Sequence, residues 1–108
     1  MRSLLILAAA FALSGNAYSG GNAANGKAIS EKICVACHGV DGAKPATPDN
    51  PILAGQYPDY LEKALLDYKS GKRSNPVMKA FADQLKKTDI EDLAAWFSSQ
   101  KSSLHFQR

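Results

Sequence analysis

Four segments of the chain repeat apolar residues at the spacing of one helical face, and none alternates as a half-buried strand does. The clearest lies near the C-terminus, where Ile90, Leu93, Ala94 and Phe97 fall at i, i+3, i+4 and i+7. Thr88 with Glu91 reads as the capping box that opens it. Upstream, Leu61, Ala64, Leu65 and Tyr68 follow Pro58, a first-turn proline with Asp59 and Glu62 close behind, and Gly71 stops that helix. Pro76 begins a short third segment through Val77, Met78, Ala80 and Phe81. The first helix starts with Asn22 or Asn25 as N-cap and carries Ala28, Ile29 and Ile33 into the residues around Cys34. The expected fold class is therefore all-α, with about four helices. Residues 39–57 are rich in Gly, Pro, Asp, Asn and Thr and carry neither periodicity. So long a structureless stretch needs a functional reason in a small domain, and a loop wrapping the edge of a cofactor is one.

The front of the chain divides it in two. Arg2 precedes an unbroken apolar run over residues 4–13, followed by Ser14, Gly15, Asn16, Ala17, Tyr18 and Ser19. Charged start, hydrophobic centre and small-residue end read as a secretory signal over residues 1–19, cut after Ala17 or Ser19, ahead of one domain over residues 20–108. The run is too short to span a bilayer comfortably, and nothing later resembles a membrane helix. The first cysteine, Cys34, lies well past the cut, so a lipid-modified N-terminal cysteine is not available in the processed form. The expected product is soluble and periplasmic. The formal net charge is +3 over the whole chain, and Arg2 leaves with the signal. Lys and Arg are scattered among Asp and Glu without interleaved aromatics, which argues against nucleic acid as a partner. A domain this small buries too little surface to be comfortably stable on its own core, and it calls for a staple.

Cys34, Cys37 and His38 stand in the order C-x-x-C-H. In a helical turn the two sulfurs fall on one face, and the imidazole projects toward the same side. Each thiol can add to one vinyl group of a haem, leaving two thioether bonds, while His38 supplies a nitrogen to the iron. Other chemistries use only part of this motif. A thioredoxin-like redox pair wants a βαβ surround, and no strand-like alternation flanks the cysteines. A zinc site wants two more ligands, and beyond His38 the chain offers only His105 in its polar tail. A structural disulfide accounts for the even cysteine count but not for the adjacent histidine. One such motif implies one haem.

The whole of residues 20–108 resembles a class I c-type cytochrome, most like the short soluble bacterial ones and the single domains of dihaem periplasmic carriers. The matching residues are Gly26-Lys27 ahead of the C-x-x-C-H motif and Gly39, then Pro51-Ile52-Leu53-Ala54-Gly55-Gln56. Gly71-Lys72-Arg73 follows, then Pro76-Val77-Met78, and last Asp89-Ile90 with Leu93-Ala94-Ala95-Trp96-Phe97. The resemblance implies a cytochrome c fold, about four helices packed around one haem c attached through Cys34 and Cys37. It assigns His38 and Met78 as the axial ligands of the iron; Met78 is the one methionine after Met1. It makes the Pro51 carbonyl the acceptor for the other imidazole nitrogen, lays Leu53 on the haem face, and sets Gly26 against Trp96 where the first and last helices cross. Arg73 either neutralises a haem propionate or is an exposed helix-end arginine. Tyr57 and Gln56 are expected to line the same edge. The polar tail after Gln100, with His105 and Phe106, departs from the family pattern.

With His38 and Met78 filling both axial positions, one-electron exchange is favoured over binding and activating a substrate. The implied protein is an exported electron carrier and not an enzyme, expected to be monomeric. Its donor and acceptor are redox proteins that dock transiently over the exposed haem edge. Lys44, Lys72, Arg73, Lys79, Lys86 and Lys87 are the candidates for steering them. The alternative reading is a haem c electron-transfer subunit of a larger periplasmic oxidoreductase.

Overall fold

The computed structural model describes residues 20–102. The secretory signal read over residues 1–19 and the tail with His105 lie outside them. Among the described residues there are five helices and no strand: α1 (Ala23–Ile33), α2 (Val35–His38), α3 (Pro58–Ser70), α4 (Pro76–Ala82) and α5 (Lys87–Ser98).

Local chemistry explains each boundary. Asn22 has extended backbone, and its side-chain oxygen accepts from the Asn25 amide at 3.1 Å, so Asn22 caps α1. The first helix does not run unbroken into the cysteines as its periodicity predicts. It ends at Ile33, and Cys34 is the joint between α1 and the single turn α2, whose Cys37 and His38 amides both bond the Cys34 carbonyl, at 3.3 and 3.0 Å. That division turns four expected helices into five. Pro58 opens α3, and Gly71, in the left-handed conformation, closes it. Asn75 caps α4 by accepting from the Val77 and Met78 amides at 3.1 and 3.0 Å.

The capping box at Thr88 and Glu91 does not form. Helix α5 begins earlier, at Lys87, so Thr88 already lies inside the first turn. Asp89 is left to fold back, and its Oδ2 accepts from the Lys86 amide at 2.9 Å.

α1 and α5 form the tightest crossing, with Gly26 at the point of contact. A Cβ there would stand 2.0 Å from the Asp92 carbonyl oxygen and 2.9 Å from Trp96 Cβ. Next to this crossing Asp92 fastens the start of α1: its Oδ1 accepts from the Asn22 amide at 2.6 Å and its Oδ2 from the Asn25 side chain. Ile90, Leu93, Ala94 and Phe97 are buried at the predicted spacing and join Leu61 of α3 and Leu85 in the core, with Ile29, Ile33, Leu53 and Leu65 packed against it. Full burial of each large aliphatic side chain contributes about 1.5–3 kcal/mol.

Residues 39–57 contain no helix, yet their backbone is tied down along its length. The Ala46 amide bonds the Cys37 carbonyl (2.9 Å), the Leu53 and Ala54 amides bond the Gly42 carbonyl (2.9 and 3.2 Å), and the Gly55 amide bonds the Phe97 carbonyl of α5 (2.9 Å). Among the described residues no helix is long and apolar enough to cross a membrane.

Replacing a helical glycine by alanine ordinarily favours the helix by about 1 kcal/mol. At Gly26 the backbone of α5 occupies the space, so Gly26→Ala should instead destabilise the protein by about 1–3 kcal/mol in denaturant unfolding. An unchanged or raised midpoint would show that the helices do not meet so closely.

Candidate functional site

The apolar faces of α3, α4 and α5 do not all close on one another. Leu61, Ala64, Leu65 and Tyr68 of α3, Val77, Met78 and Phe81 of α4, and Leu93, Ala94 and Phe97 of α5 line a cavity of about 560 Å³. Its remaining wall comes from Ile33, Cys34, Cys37 and His38 and from the loop residues Asp49, Asn50, Pro51, Leu53 and Gln56. The size is that of a small-molecule or cofactor site, and the lining is mostly apolar with a few polar groups.

Those polar groups include Cys34, Cys37, His38 and Arg73, and Met78 joins them at the wall. Cys34 and Cys37 are both free thiols and half-buried. Burial pushes the Cys34 thiol up from an ordinary value of 9.0 to about 11; the neighbouring Cys37 adds to the rise, and the Ser30 hydroxyl offsets part of it. Ser30 itself is wholly buried one turn before Cys34, with no conventional hydrogen-bond partner for its hydroxyl. At neutral pH Cys34 is therefore an S–H group.

His38 is buried, and its Nδ1 lies 2.9 Å from the Pro51 carbonyl oxygen. A carbonyl can only accept, so Nδ1 carries the hydrogen and donates it. In the neutral ring Nε2 is then left with its lone pair, as a metal-binding imidazole requires. One contact thus orients the ring, selects the tautomer and ties the loop to the turn that carries both cysteines.

Met78 reaches the same cavity from α4, and with His38 it gives the site one nitrogen and one thioether donor. Arg73 stands at the wall with its guanidinium 5.0 Å from the centre of the Tyr68 ring, donating to the Tyr60 hydroxyl at 3.3 Å. That hydroxyl raises the already high Arg73 pKa, so the group is cationic at any working pH. Leu53 and Gln56 line the cavity.

Tyr57 does not: it is the exposed N-cap residue of α3 and lies outside the lining. The helix begins immediately after it at Pro58, and the first aromatic carried round to the cavity is Tyr60. Sequence reasoning missed Tyr60, and it read Tyr68, Phe81 and Phe97 as plain helix-face residues. Helical spacing marks a residue as inward, but it does not tell a filled core from a cavity wall.

Two thiols, an imidazole nitrogen, a thioether and an apolar wall fit a flat ring with two electrophilic vinyl groups and a central iron, and the cation at Arg73 fits an acidic substituent on it. Comparison with known proteins agrees. The profile of the family described as Cytochrome c matches residues 23–101. Cytochrome c4 of Pseudomonas aeruginosa is 44% identical over 105 residues, covering 96% of this chain and 51% of that protein. Cytochrome c-554(548) of Halomonas halodenitrificans is 43% identical over 86 residues, covering 75% of this chain and 99% of the relative. The crystal structure of reduced recombinant cytochrome c4 from Pseudomonas stutzeri superposes with a TM-score of 0.71 at 41% identity, over 78% of this chain and 48% of that one. The chain thus spans about half the length of the cytochrome c4 proteins it matches.

In polypeptide carrying no ring and with Cys37→Ala, alkylation of Cys34 should keep accelerating well above pH 9.0, because burial, the largest cause of the rise, remains when the contribution of Cys37 is removed. Trapping with iodoacetamide across pH 7–12 measures this. A plateau near the ordinary thiol value of 9.0 would mean that Cys34 is not buried in that state.

Proposed function

This chain belongs to the cytochrome c family, and from that premise we propose that it is a one-electron carrier holding a single haem c through Cys34 and Cys37, with His38 and Met78 as the axial ligands. The observation that carries this reading is the meeting of all four side chains on one apolar cavity, with His38 Nδ1 already committed to Pro51. One C-x-x-C-H motif in 108 residues corresponds to one attachment site. Bound there, haem c would supply an iron that gains and loses one electron.

The residues divide the remaining work. His38 is oriented and kept in the Nε2-donor tautomer by the Pro51 carbonyl. Met78 brings a soft thioether, which favours the reduced metal and so a higher potential than a second histidine would. Leu61, Leu65, Leu93 and Phe97 keep water from the cavity, which acts in the same direction. Arg73, held over Tyr68 and by Tyr60, would offer its cation to a carboxylate of the ring at the wall. With both axial donors supplied by the protein, substrate chemistry at the metal is disfavoured and electron exchange remains.

We extend the proposal to the setting of the reaction. Residues 1–19 direct export to the periplasm and are removed, and residues 20–108 act as a monomer that meets its redox partners transiently. Lys44, Lys72, Arg73, Lys79, Lys86 and Lys87 are all exposed, which supports steering of acidic partner surfaces. The Halomonas halodenitrificans relative, spanned over 99% of its length, supports this one domain as a working unit.

The purified protein should show a mass above its processed polypeptide by one haem and the sharp reduced spectrum of a six-coordinate haem c; colourless, correctly processed material would refute the reading. Met78→Ala should give a high-spin spectrum and lower the midpoint potential by on the order of 0.1 V or more, within the range that axial ligands command. An unchanged spectrum would assign the sixth position to another group.

A further inference from the structure

Helix α4 carries Met78 but has little to hold it in place. It is seven residues long, with Ala82 its buried residue, and a helix of that length has no stability of its own in water. Asn75 fixes its first turn. Beyond that turn the anchors come from two lysines. Lys79 donates from Nζ to the Lys69 carbonyl at 3.0 Å and to Asp83 Oδ1 at 3.2 Å. Lys69 in turn donates from Nζ to the Leu85 carbonyl, just past the end of α4.

These bonds have physical reasons to form. The Lys69 carbonyl is among the last four of α3, which have no partner inside their helix, and a cation at a helix C-terminus also complements the helix dipole. The Leu85 carbonyl lies in the connection between α4 and α5. Together they close a ring of contacts: the end of α3 to Lys79 on α4, along the chain to Leu85, and back through the Lys69 side chain. Met78 immediately precedes Lys79, at the edge of that ring. The Lys69 side chain is half-buried, so its bond meets less competition from water than a surface lysine would.

We propose that Lys69 is a positioning residue for Met78, acting with Lys79 as a brace that fixes α4 against the end of α3 and keeps the thioether seated at the cavity wall. The inference rests on the reading of Met78 as an iron ligand. The brace makes displacement of that ligand costly although neither lysine belongs to the cavity lining.

The test uses the haem-loaded full protein in its ferric state with cyanide as the added ligand. Lys69→Gln should raise cyanide affinity by about tenfold, the change expected from losing one charge-assisted hydrogen bond in the ligand-bound helix. It should also shift the Met-dependent visible spectrum and midpoint potential while far-ultraviolet circular dichroism stays constant. Lys69→Arg, which keeps a cationic donor, should behave as the unmodified protein. Lys63→Gln, which removes only the ion pair that the exposed Lys63 makes with Asp67, should change nothing. Lys79→Gln is an exposed change that tests the same brace even where Lys69→Gln fails to load haem. Unmodified cyanide binding in both Lys79→Gln and any folded Lys69→Gln overturns the brace. Cyanide binding to the unmodified protein as tight as to Met78→Ala overturns it differently, by removing Met78 as the ligand.

Discussion

Two helices touching at a glycine set the frame on which the site depends. With no side chain at Gly26, the backbone of α1 lies against Asp92 and Trp96 of α5, and Asp92 then captures the first turn of α1 through Asn22 and Asn25. Because α1 leads directly into the turn holding Cys34, Cys37 and His38, this crossing aims those residues at the cavity that α5 helps to wall. A wider crossing would carry the cysteines away from Leu93 and Phe97.

The loop over residues 39–57 completes the frame by a different means. It has no repeating secondary structure and instead uses single backbone bonds to Cys37, to Gly42 and to Phe97 of α5, together with the Pro51 carbonyl on His38. That last contact serves stability and chemistry at once. It satisfies a buried polar nitrogen, which would otherwise carry a desolvation penalty of about 1–3 kcal/mol, and it leaves the opposite nitrogen as a donor. The far wall is assembled more lightly, from the short helix α4 and its caps. The two proposed ligands are therefore held with different stiffness, His38 by a buried contact within a tethered segment and Met78 on an element braced from outside.

Much of this could be read along the chain. The C-x-x-C-H motif, the apolar faces of α3 and α5, the proline starts of α3 and α4 and the Gly71 stop are local features, each governed by residues within one or two turns. The readings that missed concern features that neighbours in sequence do not control. Cys34 interrupts the first helix although the residues around it can all be helical. Helix α5 is capped through Lys86 and Asp89 because the chain arrives from Leu85 already committed to turning at Lys87. Tyr57 and Tyr60 are both aromatics at the start of α3, and only the direction in which that helix leaves the loop puts Tyr60 on the cavity wall and Tyr57 outside it.

The chain's own order of residues settles what chemistry is available: two thiols and an imidazole in five positions, one thioether after Met1, and apolar faces enough to shelter a ring. Those are properties of residue type and short-range spacing, which hold whatever the rest of the molecule does. Packing settles where that chemistry points. The Nδ1 bond to Pro51, the seat of Arg73 between Tyr60 and Tyr68, and the bonds from Lys79 to the Lys69 carbonyl and from Lys69 to the Leu85 carbonyl join residues brought together by the helix crossing and the loop. Directional contacts of that kind depend on distances between elements, and spacing along the chain does not encode those distances.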